Sequence, residues 1–156
     1  GMNNALVPII AYNYGARNRK RITGTLKRGV IIILCIMSFG TVLFELFPEF
    51  LLGLFNASPE MLEIGIPALR IIAIHFPVAA ICIIFMSCFQ ALGMGFTSMI
   101  VSFVRQLVVL LPVAYLFSLT GVLNNVWWCF PCAEIAALIL SSVFIIKAYK
   151  TKLKDL

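Results

Sequence analysis

The stretch YNYGARNRKRITGTLKRG, Tyr12–Gly29, carries half of the chain's twelve Lys and Arg residues between Arg17 and Arg28. In a soluble protein such a run is typical of a nucleic-acid or heparin patch. Here it is flanked by long apolar stretches, and the whole chain is 62% hydrophobic and only 12% charged. Because a soluble domain is about 25% charged, this chain has too few polar side chains to face water. The pattern predicts a protein that lies in a lipid bilayer.

The basic residues are grouped at two places along the chain. Ten of the twelve lie in the blocks Arg17–Arg28 and Lys147–Lys154, and each block adjoins an apolar run. Lys and Arg are enriched in the cytoplasmic segments of membrane proteins. We therefore expect a cytoplasmic basic loop at 15–29 and a cytoplasmic tail at 147–156, in the plasma or inner membrane of the cell. This distribution excludes nucleic acid as a partner.

Apolar runs of helical length predict an all-α transmembrane bundle of about five helices. They lie at about 1–14, 30–55, 66–92, 97–118 and 126–146. The first would be about 21 Å long, which is shorter than a hydrocarbon core of about 30 Å, so we expect a truncated helix there. The other four are long enough to be complete. Four crossings place both basic blocks on the same side of the membrane, as the charge pattern requires.

The sequence contains no motif that indicates an enzyme, such as a phosphate-binding loop or a catalytic triad, so no catalytic residue is expected. The five Cys residues lie inside apolar runs at irregular spacing, which is not the pattern of a disulfide framework. The motif CFPC at Cys129–Cys132 has neither a second Cys pair nor a His nearby, and a zinc site needs more ligands than that. We expect no metal site.

Prolines interrupt the predicted helices. Each leaves the carbonyl one turn earlier without its donor, which kinks the helix and can create a hinge or a polar lining. Five prolines in five helices favour a moving or cavity-lining bundle over a passive anchor. They are Pro8, Pro48, Pro77, Pro112 and Pro131.

Two charged residues lie within the predicted helices. Glu134 is either a proton or cation site or a structural carboxyl that is hydrogen-bonded to a neighbouring helix, since a carboxylate inside a membrane is costly unless it is paired. Arg105 either contacts another helix at a gate or extends its side chain to the cytoplasmic interface. Because Arg105 is placed nearer the inner face and Glu134 nearer the outer one, we do not expect them to pair directly.

Two further polar residues lie on the predicted helix 66–92. Gln90 could join helices by hydrogen bonding. His75 precedes Pro77 and could titrate near neutrality, although a hydrogen-bonded histidine between helices is the favoured interpretation.

Four segments of the chain, taken in order, resemble the multidrug and toxic compound extrusion (MATE) transporters. They are MNNALVPIIAYNYGARNRKR, FQALGMG, RQLVVLLP and GVLNNVWWCFPCAE. The resemblance implies twelve helices in two six-helix lobes that alternate between outward-facing and inward-facing states. It also implies export of organic, often cationic or aromatic compounds in exchange for H⁺ or Na⁺, with no other cofactor. The chain 1–156 would then be the C-terminal part of the second lobe, and the N-terminal lobe would be its missing partner.

The resemblance assigns transport or gating roles to Asn13, Gln90, Arg105 and Glu134, and helix kinks to Pro8, Pro77, Pro112 and Pro131. Gly15 belongs to the first of the four segments and Gly93 to the second. The chain departs from the family at two points. Met94 stands where a basic residue is common, and residues 66–92 lack the acidic cation-binding residue that some members carry there. The coupling carboxylate would then be Glu134 or lie in the missing portion.

Two other functions remain open from the sequence. One is a flippase for lipids or lipid-linked oligosaccharides of the related exporter superfamily, which would line its cavity with cations to bind phosphates; only Arg105 and Arg70 are candidates. The other is a membrane scaffold that assembles partners without transporting anything.

Overall fold

The computed structural model describes residues 1–154, which form α-helices and two π-helical segments and contain no strand. The predicted all-α membrane bundle is confirmed. The helices are α1 (Met2–Gly15), α2 (Arg19–Leu46), α3 (Pro48–Gly53), α4 (Pro59–Ala73), α5 (Phe76–Ala91), α6 (Gly95–Phe103), α7 (Leu111–Ser118), α8 (Leu123–Val126) and α9 (Cys129–Ala148). The π-helical segments are Val104–Leu110 and Tyr149–Leu153.

Three continuous stretches of these residues are long and apolar enough to cross a membrane: Arg19–Leu46, Gly95–Ser118 and Leu123–Leu153. A fourth crossing is formed if α4 and α5 together count as one span, although their axes are bent by 52°. The expectation of one helix over 66–92 is therefore wrong. The helix begins earlier, at Pro59, where the Ser58 side chain accepts a hydrogen bond from the Met61 N–H, and it breaks before Pro77, which has no N–H to continue the ladder.

The expectation of a basic loop over 15–29 is also wrong. Only Ala16–Asn18 separates α1 from α2, so most of the basic block is helical. The Asn18 side chain accepts a hydrogen bond from the Arg21 N–H at 3.1 Å and caps the helix. Lys and Arg are good helix formers, so α2 begins eleven residues before the apolar run at Val30. At its other end α2 stops before Pro48, which divides the predicted helix 30–55.

The chain after Gly93 forms two long spans. The first runs without interruption from Gly95 to Ser118 through a π-helical segment, close to the predicted 97–118. The second continues past Ile146 as far as Leu153, so the segment expected as a tail, 147–156, is helical over most of its length. Residues 155 and 156 of that tail lie outside the described residues.

Helix α5 lies at the centre of the bundle and packs against α1, α2 and α9. Its buried side chains are mostly small: Ala80, Cys82, Ile84, Ser87, Cys88, Phe89 and Ala91. Small residues let membrane helices approach closely. Large apolar side chains on the outside are the reverse of a soluble fold, with Phe39 and Phe96 each about 70% exposed. Such a surface is suited to lipid.

Candidate functional site

Arg105 and Glu134 form an ion pair inside the bundle. The Arg105 Nη1 donates to Glu134 Oε1 at 3.3 Å and to Oε2 at 3.5 Å. The Glu134 side chain is only 6% exposed, whereas that of Arg105 is 25% exposed. The expectation that these residues would not pair is therefore wrong, and the interpretation of Arg105 as a side chain extended to the interface does not describe it.

The helix boundaries explain why the two residues meet. Both spans leave the short connection 119–122, one ending at Ser118 and the other beginning at Leu123. At 1.5 Å per residue, Arg105 lies about 20 Å and Glu134 about 17 Å from that connection. The sequence placed the start of the last helix at 126 and so placed Glu134 too close to the outer surface. A guanidinium on a long side chain easily covers the remaining difference.

The local backbone of the two residues differs. Arg105 lies in the π-helical segment Val104–Leu110, and π-helical turns are frequent at functional sites. Pro112 follows this segment and cannot donate to the Val108 carbonyl, which relaxes the regular hydrogen-bond ladder. Glu134 lies on the buried face of α9, two turns before Ser141.

The ion pair borders a cleft of about 210 Å³. The other residues that line it are His75, Gln106, Leu110, Phe130 and Ala133. His75 stacks on Phe130 with ring centroids 6.1 Å apart. Its Nδ1 is buried and has no hydrogen-bond partner among the described residues, so the favoured interpretation of a hydrogen-bonded histidine does not hold for this atom. The cleft thus brings together a carboxylate, a guanidinium and an imidazole.

This arrangement can exchange charged partners at one carboxylate. The positive charge of Arg105 compensates that of Glu134, which makes an ionised carboxylate tolerable inside the membrane. A proton or a monovalent cation at Glu134 would take over the same task and release the guanidinium. The site is therefore chemically suited to a switch between two charge-neutral states.

Arg105 also lines a second cleft of about 200 Å³, together with Asn3, Ile83, Met86 and Gln90. A hydrogen-bond network borders this cleft. Asn3 Nδ2 donates to Gln90 Oε1 at 3.2 Å and Gln90 Nε2 donates to Ser98 Oγ at 3.4 Å. Gln90 thus joins α5 to α1 and α6, as expected for a residue that links helices.

Sequence reasoning did not single out two members of this network, Asn3 and Ser87. The Ser87 hydroxyl donates to Asn3 Oδ1 at 2.6 Å and lies at equal reach of the Ile83 carbonyl, 2.8 Å away. The signal was available, because Asn3 is an amide in an otherwise apolar run. Such side chains in a membrane helix generally find a partner on a neighbouring helix.

The structure does not bring Asn13 to either cleft. This residue is buried near the end of α1, and its Nδ2 donates to the Ile9 carbonyl at 2.8 Å within the same helix. Its backbone carbonyl accepts from the Asn18 N–H. These contacts close the turn between α1 and α2.

The prolines that were predicted to kink helices have different surroundings. Pro8 lies inside α1. Pro77 lies in the first turn of α5, at the 52° bend, and the Ala73 carbonyl that it leaves without a backbone donor is 3.1 Å from the Thr41 hydroxyl. Pro131 lies in the first turn of α9, after the break that separates this helix from α8.

The described residues contain no group of three or more His, Cys, Asp or Glu side chains that could hold a metal ion. The four polar groups nearest the clefts are a carboxylate, a guanidinium, an imidazole and an amide. They are suited to protons, monovalent cations and hydrogen-bonding ligands.

Comparison with known proteins identifies the family. The MatE family model matches residues 1–116, and no curated protein matches the chain. Two solved structures share the fold. One is an inward-facing multidrug resistance MATE family transporter of the MOP superfamily, with a TM-score of 0.85 and 23% identity over 96% of this chain and 36% of that one. The other is the MATE multidrug transporter DinF-BH in complex with rhodamine 6G, with a TM-score of 0.86 and 29% identity over 100% of this chain and 34% of that one.

This chain therefore spans about a third of the length of the solved transporters that it matches. The family match covers well over half of its residues. Together with the helical membrane fold, it shows that the chain belongs to the MatE family.

Proposed function

We propose that this chain is the C-terminal part of the second lobe of a cation-coupled multidrug efflux transporter. The complete protein would consist of two lobes of six helices and would export organic, cationic or aromatic compounds by alternating access, in exchange for H⁺ or Na⁺. The N-terminal lobe and the lipid bilayer are then its partners, in the plasma or inner membrane with the basic end cytoplasmic. The family match over residues 1–116 is the single observation that carries this proposal.

Glu134 is our candidate for the coupling carboxylate within this chain. It is buried, it has one cationic partner, and that partner reaches it from a different span. In the proposed cycle, binding of a proton or Na⁺ at Glu134 releases Arg105, which then turns towards the second cleft that it already lines, beside Gln90. The span with Arg105 and the span with Glu134 would move relative to each other as this contact opens and closes.

The test is efflux of rhodamine 6G in everted membrane vesicles that contain the complete protein. We expect an imposed proton or sodium gradient to drive transport of the dye by the native protein. Glu134→Gln should lose most of this transport, because an amide can neither be ionised nor exchange a proton. The matched control is Glu60→Gln, which removes an exposed carboxylate in the first turn of α4 and should keep native transport.

The outcomes separate the two parts of the proposal. Absence of dye transport by well-expressed native protein under either gradient would contradict the assignment as a multidrug transporter. Native transport with full activity of Glu134→Gln would keep the assignment and place the coupling site elsewhere. Comparison of the proton gradient with the sodium gradient identifies the ion.

The flippase alternative needs cations in the cavity that are free to bind phosphates. Arg105 is engaged by Glu134, and Arg70 lies exposed at the end of the bundle where α3 and α4 pack together. The described residues therefore give this alternative no support inside the membrane, and transport of an organic cation is the function we propose.

A further inference from the structure

One end of the bundle contains a cleft with strong positive charge, between the first turns of α2 and the C-terminal π-helical segment. It consists of two adjoining hollows of about 480 and 670 Å³, and Arg19 and Tyr149 line both. We call it the basic cleft. Its cations are Arg19, Lys20, Lys27, Lys150 and Lys154.

The two walls of the basic cleft are fixed to each other. The Arg19 Nη2 donates to the Tyr149 hydroxyl, and the guanidinium lies over the same ring, 4.8 Å from its centroid. The Arg19 Nη1 is also 3.4 Å from the Lys154 carbonyl. These contacts join residues that are 130 or more positions apart in the sequence. The cations are therefore held together by tertiary structure, in addition to being neighbours in the chain.

The positive charge of the basic cleft is not compensated by the described residues. No Asp or Glu lines either hollow, and the ion pair found in residues 1–154 is the distant Arg105–Glu134. A neighbouring cation behaves differently: Lys152 turns towards the bundle, where its Nζ donates to the Leu92 carbonyl at 2.9 Å. Several like charges around one hollow repel each other, and an anion between them would remove that cost.

The surroundings of the cleft are those of a lipid headgroup site. Ile31 lies one turn beyond Lys27 on the same face of α2, and Ile146 lies one turn before Tyr149 on α9. Both side chains are more than half exposed, and both lead from the cleft towards the apolar part of their span. A ligand with an anionic head and a hydrocarbon tail matches this combination, whereas a free anion would leave the apolar surface unused.

We propose that the basic cleft binds the phosphate headgroup of an acidic phospholipid, whose acyl chains lie along Ile31 and Ile146. Lys and Arg form strong charge-assisted hydrogen bonds with phosphate oxygens, and basic pockets between membrane helices are suited to such headgroups. The site lies at the opposite end of α2 from the bend at Pro77. The proposal rests on the membrane fold alone and does not depend on which compound the protein transports.

The test is native mass spectrometry of the complete protein in detergent, titrated with phosphatidylglycerol and, separately, with the zwitterionic phosphatidylcholine. We expect phosphatidylglycerol to bind in preference. The double variant Lys27→Gln/Lys150→Gln should weaken this binding about tenfold or more, because each cation near an anionic headgroup contributes to affinity. The matched control is Arg28→Gln/Lys147→Gln, which removes the same charge from the adjacent exposed positions, outside the cleft.

A third variant tests the shape of the cleft at constant charge. Gly24 lines the cleft, and a Cβ atom at this position would meet nothing within 4 Å. Gly24→Phe should therefore fill the cleft and weaken phosphatidylglycerol binding while the melting temperature stays unchanged.

Three results would overturn the proposal. The first is an equal loss of lipid from the cleft variant and its matched control, which would show a general effect of charge. The second is unchanged lipid binding by Gly24→Phe. The third is displacement of the lipid by inorganic phosphate at concentrations that leave the control lipid in place, which would identify a site for a free anion.

Discussion

Glu134 is the one carboxylate that lies buried in the described part of the chain, and Arg105 is its only cationic partner there. Removing a charge pair from water is costly, and the mutual attraction of the pair offsets that cost only while both partners are present. The pair is therefore better understood as a mutual requirement than as a source of stability. Its value to the protein would lie in the ability to open.

We expect Arg105→Met to lower the stability of the bundle by roughly 3 kcal/mol, because this change leaves the carboxylate of Glu134 buried without a partner. Adding Glu134→Gln to that variant should recover most of the loss, since two neutral side chains of similar volume then replace the pair. The measurement is the apparent melting temperature in detergent for the two single variants and the double variant.

The control for this cycle is Arg70→Met, which removes an exposed cation from the end of α4 and should change stability little. Additive effects of Arg105→Met and Glu134→Gln would contradict the coupling, because independent residues add. Such a result would mean that the two side chains do not pair in the membrane.

The sequence identified Glu134, Arg105 and Gln90 as polar residues within apolar helices, since composition alone makes them stand out. It could not predict which of them meet. That depends on how deep each residue lies, and an error of one turn at the start of a helix moves a side chain by about 5 Å. Ser87 was missed for another reason, because a single hydroxyl in a membrane helix can bond its own backbone and gives no signal of a partner.

The bend between α4 and α5 shows how one helix can repair the backbone of another. Pro77 has no N–H, so the Ala73 carbonyl one turn earlier loses its donor. Ala73 is fully buried, where an unsatisfied carbonyl is costly. The Thr41 hydroxyl of α2 lies 3.1 Å from this carbonyl and supplies the missing donor. The bend is thus held by a contact between helices.

We expect Thr41→Val to destabilise the protein by about 1–2 kcal/mol, because the Ala73 carbonyl then has no donor. In a Pro77→Ala background the same substitution should cost less, since the backbone N–H at position 77 can bond that carbonyl directly. The measurement is a double-mutant cycle of melting temperatures. Thr25→Val on the same helix is the control, and an equal cost of Thr41→Val in both backgrounds would contradict this role.

The sequence predicted that Pro77 interrupts its helix but could not predict the angle or the partner. Both depend on α2, which is more than thirty residues away in the chain. The boundaries of α2 were missed for a related reason. The basic block was expected to be a loop because it is polar, but a polar segment at the end of a span can remain helical when it is well capped, as Asn18 does here.

In the molecule as a whole, the two basic segments meet at one end of the bundle. Arg19 contacts both Tyr149 and Lys154, so the start of α2 and the end of the last span lie together. The same conclusion followed from the charge pattern, because both blocks belong on one side. Global arrangement was easier to predict than local contacts, since it depends on few quantities: the number of apolar runs and the sign of the charges between them.

We expect the two basic segments to be accessible from the cytoplasm and the start of α4 from the opposite side, since α2 crosses the membrane between them. The measurement is labelling of Arg17→Cys, Thr151→Cys and Glu60→Cys with a membrane-impermeant thiol reagent, in a background without the five native Cys residues. All three positions are exposed. Arg17→Cys and Thr151→Cys should react in everted vesicles and Glu60→Cys in intact cells, with permeabilised cells as the control for reactivity. Labelling of Arg17→Cys and Thr151→Cys from opposite sides would contradict both the arrangement of the spans and the existence of the basic cleft, because the contacts of Arg19 require these segments to share one face.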